Sequence, residues 1–313
     1  SVTPDKEAAG DIGGFAALAT ALAATIGTGN IVGVATAIGT GGPGAVFWMW
    51  MTGLLGMATK YSEGLLAVKF RVRAKDGSYI GGPMYALERG MGQKWLGVLF
   101  AVFTGFAGFG LGNMVQGNSI AESCLNTFGI PKIATAAVLT VLTGLVILGG
   151  VQSISKVCEK LIPIMAGGYI VGCIAICFIN GAYIPEAFSV IIKGAFNPQA
   201  VGGGFVGATI IQCIRAGVSR GLFTNESGLG SAPIVDACAA TRNPARQALI
   251  SMSGVFWDTI VVCLMTSLVL VTAILKDPVG MDGLVGAQLT GGAFGAIPVV
   301  GPAILTFGLI TFA

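Results

Sequence analysis

Residues 23–39 read AATIGTGNIVGVATAIG, a run without a charge that places Gly27, Thr28, Gly29 and Asn30 at its centre. With its flanks the run is long enough to cross a bilayer, whose ~30 Å core takes about 20 residues of helix. Each glycine, however, costs a helix interior about 1 kcal/mol relative to alanine. In hydrocarbon, a freed backbone N–H or C=O costs several kcal/mol unless something binds it. The stretch therefore predicts unwound backbone beside a cavity or a ligand. A glycine packing seam is the plainer account, since Gly29 and Gly33 form a G-x-x-x-G pair. Packing explains Gly33 and Gly39, but not why Thr28 and Asn30 are wedged among them.

Composition agrees with a membrane setting. Hydrophobic residues make up 54% and charged residues 10%, with a mean hydropathy of +0.85. Soluble domains carry roughly 25% charge, so this chain is expected to be a polytopic, all-α membrane protein embedded in a lipid bilayer. Its 50 glycines follow no three-residue period. The seven cysteines (Cys124, Cys158, Cys173, Cys177, Cys213, Cys238 and Cys263) form no C-x-x-C pair, and there is no histidine. Zinc, haem and histidine-relay chemistry are thereby disfavoured. The net charge of +3 gives no cue for nucleic acid.

Apolar spans are predicted near residues 14–40, 44–68, 95–121, 131–150, 161–180, 201–223 and 247–275, with an eighth beginning near Ile297. Residues 183–200 and 280–296 read as short connections with weak amphipathic helices. Ser1–Asp11 is polar with both signs of charge, unlike a signal peptide, and pieces are expected to be missing at both ends. Lys69, Arg71, Arg73, Lys75, Arg89 and Lys94 lie between spans two and three. Lys156 and Lys160 follow span four, and Arg242 and Arg246 follow span six. The positive-inside rule places these loops, and the start of span one, in the cytoplasm. The first and sixth spans then run in opposite directions.

The sixth span is interrupted as well. Residues 214–237, IRAGVSRGLFTNESGLGSAPIVDA, carry Arg215, Arg220, Asn225 and Glu226 among four glycines. An Arg–Glu226 pair is one structural account of these charges; ionisable residues at membrane depth otherwise mark functional sites. Two discontinuous helices in corresponding positions of two halves point to the midplane site of a secondary transporter. Half-helix N-termini suit a carboxylate, while unwound carbonyls with Asn or Thr oxygens suit Na+. A membrane enzyme would need a nucleophile, a base or a metal cluster, and a channel a continuous polar stripe. Neither pattern is found.

Three stretches together, GTGNIVGVATAIGTGGPGAVFWMW (27–50), GGPMYALERGMG (81–92) and SRGLFTNESGLGSAPI (219–234), resemble the alanine or glycine:cation symporter family. The resemblance implies a leucine-transporter (LeuT) type inverted-repeat fold in one transmembrane domain. The first repeat would fall at about 14–180 and part of the second at about 201–313. It also implies symport of alanine or glycine with Na+, at the plasma membrane. Carried onto this chain, substrate contacts fall on Thr25, Thr28, Gly29 and Asn30 of the first span. Asn113 and Gln116 of the third span and Phe223, Asn225 and Gly228 of the sixth complete the set. Na+ ligands fall on the backbone near Ala23 and Ile26, with Thr25 and Asn30. Asp258, near the middle of the seventh span, is a further ion-ligand candidate, or else a structural contact to a neighbouring helix. A proton-coupled carrier using Glu226 or Asp258 is the alternative. The eighth helix, whose hydroxyls complete the second Na+ site of that fold, only begins as this chain ends.

Overall fold

The computed structural model describes residues 10–110, 114–197, 209–298 and 300–311; Asn113 lies outside the described residues. The order is α1 (Gly14–Thr25), a π-helical turn (Gly29–Gly33), α2 (Val34–Gly41), α3 (Ala45–Lys69) and a hairpin of β1 (Val72–Arg73) and β2 (Tyr79–Ile80). Then come α4 (Pro83–Tyr85), α5 (Lys94–Phe109), α6 (Val115–Phe128), α7 (Lys132–Ile147), α8 (Gly150–Ile179) and α9 (Ile184–Phe196). The remainder is α10 (Ile210–Asn225), α11 (Ala232–Asp236), α12 (Pro244–Val255), a π segment (Phe256–Val262), α13 (Cys263–Lys276), α14 (Gly286–Phe294) and α15 (Val300–Thr311).

Among the described residues, two continuous helices are long and apolar enough to cross a membrane. These are α8, with 30 residues at mean hydropathy 2.2, and Pro244–Lys276, with 33 residues at 2.3. A third candidate is the bent pair Gly14–Thr25 and Gly29–Gly41, which turns by 50° at the break. Along α8 the buried side chains Ser155, Ile162, Met165, Tyr169, Cys173 and Ile176 recur at three, four or seven residues, which is one helix face. Its opposite face exposes Ile164, Val171 and Phe178, as α5 exposes Phe103, Phe106 and Phe109. Bands of large apolar side chains facing outward belong against lipid rather than water. The chain is a mostly helical, polytopic membrane protein.

Some boundaries differ from the sequence expectation. Lys156 and Lys160, assigned above to a loop, sit in the N-terminal half of α8. At about 1.5 Å per residue a 30-residue helix outruns the hydrocarbon core, so its charged end has no need to unwind. Of the expected third span, the described residues supply α5 and the start of α6. An all-α chain was expected, but Val72 pairs with Ile80 and Arg73 with Tyr79 in a short antiparallel hairpin. Nor does an Arg–Glu226 pair form: among the described residues the one ion pair is Lys132–Glu122, at 3.0 Å on the surface.

The core surrounds α2, α3 and α13. Ile31, Ile38, Met49, Tyr169, Ile191, Leu270 and Phe294 are fully buried. Tyr169 stacks on Phe294 and shares a hydrogen bond of 2.8 Å with Thr266. Helix α9 is tied in by Trp48, whose indole N–H donates to the Ala195 carbonyl at 3.0 Å. The packing of α10 on α3 explains part of the sixth-span glycine pattern. A Cβ at Gly217 would strike the Ala45 carbonyl, and one at Gly221 the Thr52 hydroxyl. These two glycines form a close-approach seam of the G-x-x-x-G kind.

Candidate functional site

The first break begins where α1 runs out of partners. Ile26 turns extended (φ −74°, ψ 101°) while its N–H still bonds the Leu22 carbonyl. The next N–H, on Gly27, would reach Ala23 in a continuous helix; it donates instead to Asn30 Oδ1 at 2.8 Å. The Ala23 carbonyl thereby loses its helical donor. Asn30 N–H in turn donates to the Gly27 carbonyl at 3.1 Å. Asn30 thus caps the bend from within its own π turn.

The other end of the same amide crosses to the seventh span. Asn30 Nδ2 donates to Asp258 Oδ1 at 2.7 Å and to the Asp258 carbonyl at 3.1 Å, with Cys263 Sγ at 3.3 Å. Asp258 lies in the π segment 256–262, fully buried like Asn30. Its second oxygen accepts from Thr259 Oγ1 at 2.7 Å, and Thr259 Oγ1 is 3.4 Å from Thr224 Oγ1 at the end of α10. One buried polar chain therefore joins the first, sixth and seventh spans. A buried carboxylate with two donors, beside two hydroxyls and the carbonyls of a broken helix end, is the oxygen-rich chemistry a hard cation prefers.

In front of this chain lies a small cavity of about 30 Å³, room for one or two waters. The first break (Gly27, Gly29), the end of α10 (Phe223, Thr224) and Gln116 of α6 all line it. Gly29 sets the spacing: a Cβ there would lie 2.9 Å from Thr224 Cγ2 and 3.1 Å from Phe223 Cδ1. Buried polar atoms usually find partners. Yet among the described residues Thr28 Oγ1, Gln116 Oε1, Asn225 Nδ2 and Ser227 Oγ are buried without one.

The sequence-derived candidates therefore separate by position. Thr25, Gly29, Gln116 and Phe223 line the cavity, although the Thr25 hydroxyl turns back to the Ala21 carbonyl at 3.2 Å. Ala23, Ile26, Thr28, Asn30 and Asp258 do not line it; Ile26, Thr28, Asn30 and Asp258 are buried. Asn225 and Gly228 fall elsewhere. Asn225 accepts from Ser227 N–H at 3.0 Å and packs toward Gly56 of α3. Gly228 lines a larger cavity, about 490 Å³, with Glu63, Phe70 and Phe100. Glu226, one of the two alternative proton carriers, lines the small cavity; it is held by Ser231 and sits in the left-handed region at φ 51°. Among the residues this sequence reading passed over are Thr224 and Thr259. Thr259 had a usable signal, as the hydroxyl next to an intramembrane aspartate.

A family model described as the sodium:alanine symporter family matches residues 1–313. The chain belongs to that family. It is 53% identical over 313 residues to an uncharacterised transporter of Haemophilus influenzae, covering 99% of this chain and 68% of the relative. It is 51% identical over the same length to the sodium/alanine symporter AgcS of Methanococcus maripaludis, again covering 99% and 68%. The amino-acid carrier protein AlsT of Bacillus subtilis is 43% identical over 251 residues, which is 79% of this chain and 52% of AlsT. Membership makes this chain a membrane transporter of the amino acid:cation symport class.

Proposed function

We propose that this chain carries the substrate and ion site of a Na+-coupled symporter for alanine and glycine, built on the LeuT-type inverted-repeat fold. The observation that carries the reading is one cavity lined by both broken spans, Gly27 and Gly29 on one side and Phe223 and Thr224 on the other. Breaking a span is costly in hydrocarbon, and two breaks that meet at one cavity repay that cost only if something binds there. The substrate carboxylate sits at the start of the Gly29–Gly41 half-helix, whose N–H groups favour an anion. Na+ sits behind it, held by the Ala23 and Ile26 carbonyls and by Asp258, with Thr259 and Thr224 in reach through hydroxyl reorientation. In this arrangement Asn30 orients the Asp258 carboxylate. At about 30 Å³ the cavity is well below the ~300–1,000 Å³ of ordinary ligand pockets. An amino acid therefore enters when the two breaks part, as alternating access requires.

Labelled alanine uptake into proteoliposomes of the full-length protein tests this reading. Uptake should follow an inward Na+ gradient and be absent with K+ alone. Uptake driven by a proton gradient without Na+ would favour proton coupling instead, with Glu226, which lines the cavity, or Asp258, which bonds Asn30 of the first break, as the carrier.

A further inference from the structure

The linker between α10 and α11, residues 226–231, makes local bonds from Leu229 N–H to the Glu226 carbonyl at 3.2 Å and from Ser227 N–H to Asn225 Oδ1 at 3.0 Å, and α3 supplies two more. Read along α3, one face carries Gly53, Gly56, Lys60, Glu63 and Gly64 at helical spacing. The glycines admit close neighbours. A Cβ at Gly53 would meet Thr259 Cγ2 at 2.9 Å, one at Gly56 Ser227 Oγ at 2.8 Å, and one at Gly64 Ser251 Cβ at 3.1 Å. Between them stand two ionisable side chains. Lys60 is 3% exposed, and its ammonium donates to the Glu226 carbonyl at 3.5 Å. Three residues on, Glu63 Oε1 accepts from Gly230 N–H at 3.1 Å. Lys60 is within ion-pair distance of no carboxylate among the described residues.

Charged side chains at this depth are expensive unless they do something. The Glu226 carbonyl also accepts from Leu229 N–H, so the ammonium adds a second, charge-assisted bond to it, and hydrogen bonds to charged groups are roughly twice as strong. The segment they hold starts at a strained residue and continues through two glycines that take positive φ freely. Glu226 is the one non-glycine residue with positive φ among those described, and Gly228 and Gly230 follow at φ 89° and 79°. Strain of this kind persists only where surroundings over-determine it.

We propose that Lys60 and Glu63 are positioning residues. They clamp the two ends of the sixth-span break and so hold Phe223, Thr224 and Glu226 against the first break in the geometry that binds substrate. The inference rests on the reading of the two breaks as the substrate site. The ammonium fixes the carbonyl at the start of the linker and the carboxylate fixes the N–H near its end. The distance between them on α3 then sets the width of the break.

The test uses the full-length protein with Lys60→Met, Glu63→Gln and the double variant. Two readouts are taken, equilibrium binding of labelled alanine and hydrogen exchange of the backbone. Exchange at 226–231 should rise in each variant while α3, α10 and α12 stay protected. Alanine Kd should rise by about tenfold in each single variant, the scale of one charged hydrogen bond lost. The double variant should be no worse than the singles, because both act on one segment, and Lys60→Arg should restore much of the affinity. Unchanged exchange at 226–231 in the folded variants overturns the clamp. So does a uniform rise across all the helices, which marks a merely structural role. If exchange rises locally but the unmodified protein binds no alanine with Na+, the clamp stands and the assigned substrate site is what fails.

Discussion

Asn30 commits both ends of its amide inside the protein, Oδ1 to Gly27 N–H and Nδ2 to Asp258. Replacing it with alanine leaves a backbone N–H and a carboxylate oxygen without these partners. Each such buried group costs about 1–3 kcal/mol. Asn30→Ala should therefore raise the Na+ concentration for half-maximal uptake by about tenfold or more. Alanine affinity should fall with it, since linked ligands change each other's affinity by the same factor. Sodium titration of uptake with a correctly inserted variant checks this, and an unaltered titration would remove Asn30 and Asp258 from the ion site. Gly29 is tested differently. A Val side chain there would run into Thr224 and Phe223, and overpacking of that kind costs about 1–3 kcal/mol. Gly29→Val should insert normally yet lose alanine binding; binding at the normal Kd would reduce the break to a packing feature.

At the scale of elements, glycine serves two separate ends in this chain. Gly217 and Gly221 let α10 lie against α3, whereas Gly228 and Gly230 take up positive φ in the linker that follows Glu226, the left-handed residue that ends α10. The seam makes a stability prediction that involves no ligand. Gly221→Ala places a Cβ on the Thr52 hydroxyl and should cost about 1–3 kcal/mol, read as a lower Tm in detergent. Gly105→Ala on α5 meets nothing within 4 Å, and alanine favours helix by about 1 kcal/mol, so its Tm should hold or rise. Equal losses in both variants would mean that the seam contributes nothing specific. The π segments also belong to this scale. At Gly29–Gly33 and Phe256–Val262 the widened turns rotate Asn30 and Asp258 toward each other, and π-bulges of this kind often mark functional positions.

For the whole molecule, the proposed site recognises the carboxylate of its substrate more than the side chain. The half-helix beginning at Gly29 offers N–H groups worth about 0.3–2 kcal/mol to an anion, and Na+ beside Asp258 would add a full charge. Alaninamide keeps the ammonium and methyl group of alanine but lacks the negative charge. It should fail to compete with labelled alanine, while glycine should compete. Competition by alaninamide equal to that of alanine would move recognition to the ammonium, with Glu226 the group to examine.

Asp258 entered through the family resemblance, whereas the membrane class, the first and sixth breaks, and the candidacy of Thr28, Gly29 and Asn30 were legible in the sequence. They rest on local quantities: hydropathy over about 20 residues, glycine's cost in a helix, and charge at membrane depth. The partner of each candidate was not legible. Asn30 and Asp258 are 228 residues apart, and their meeting depends on the rotation of two π segments that no periodicity announces. Asn225 and Gly228 carry the same polar and glycine signals as the first break, yet they face α3 and the larger cavity. Lys60 and Glu63 fall inside the expected span 44–68, and only the closeness of α3 to the linker gives them backbone groups to hold. A sequence fixes which residues are costly to bury. Which faces the helices present to one another, set by close approaches at Gly29, Gly56, Gly217 and Gly221, decides what that cost is spent on.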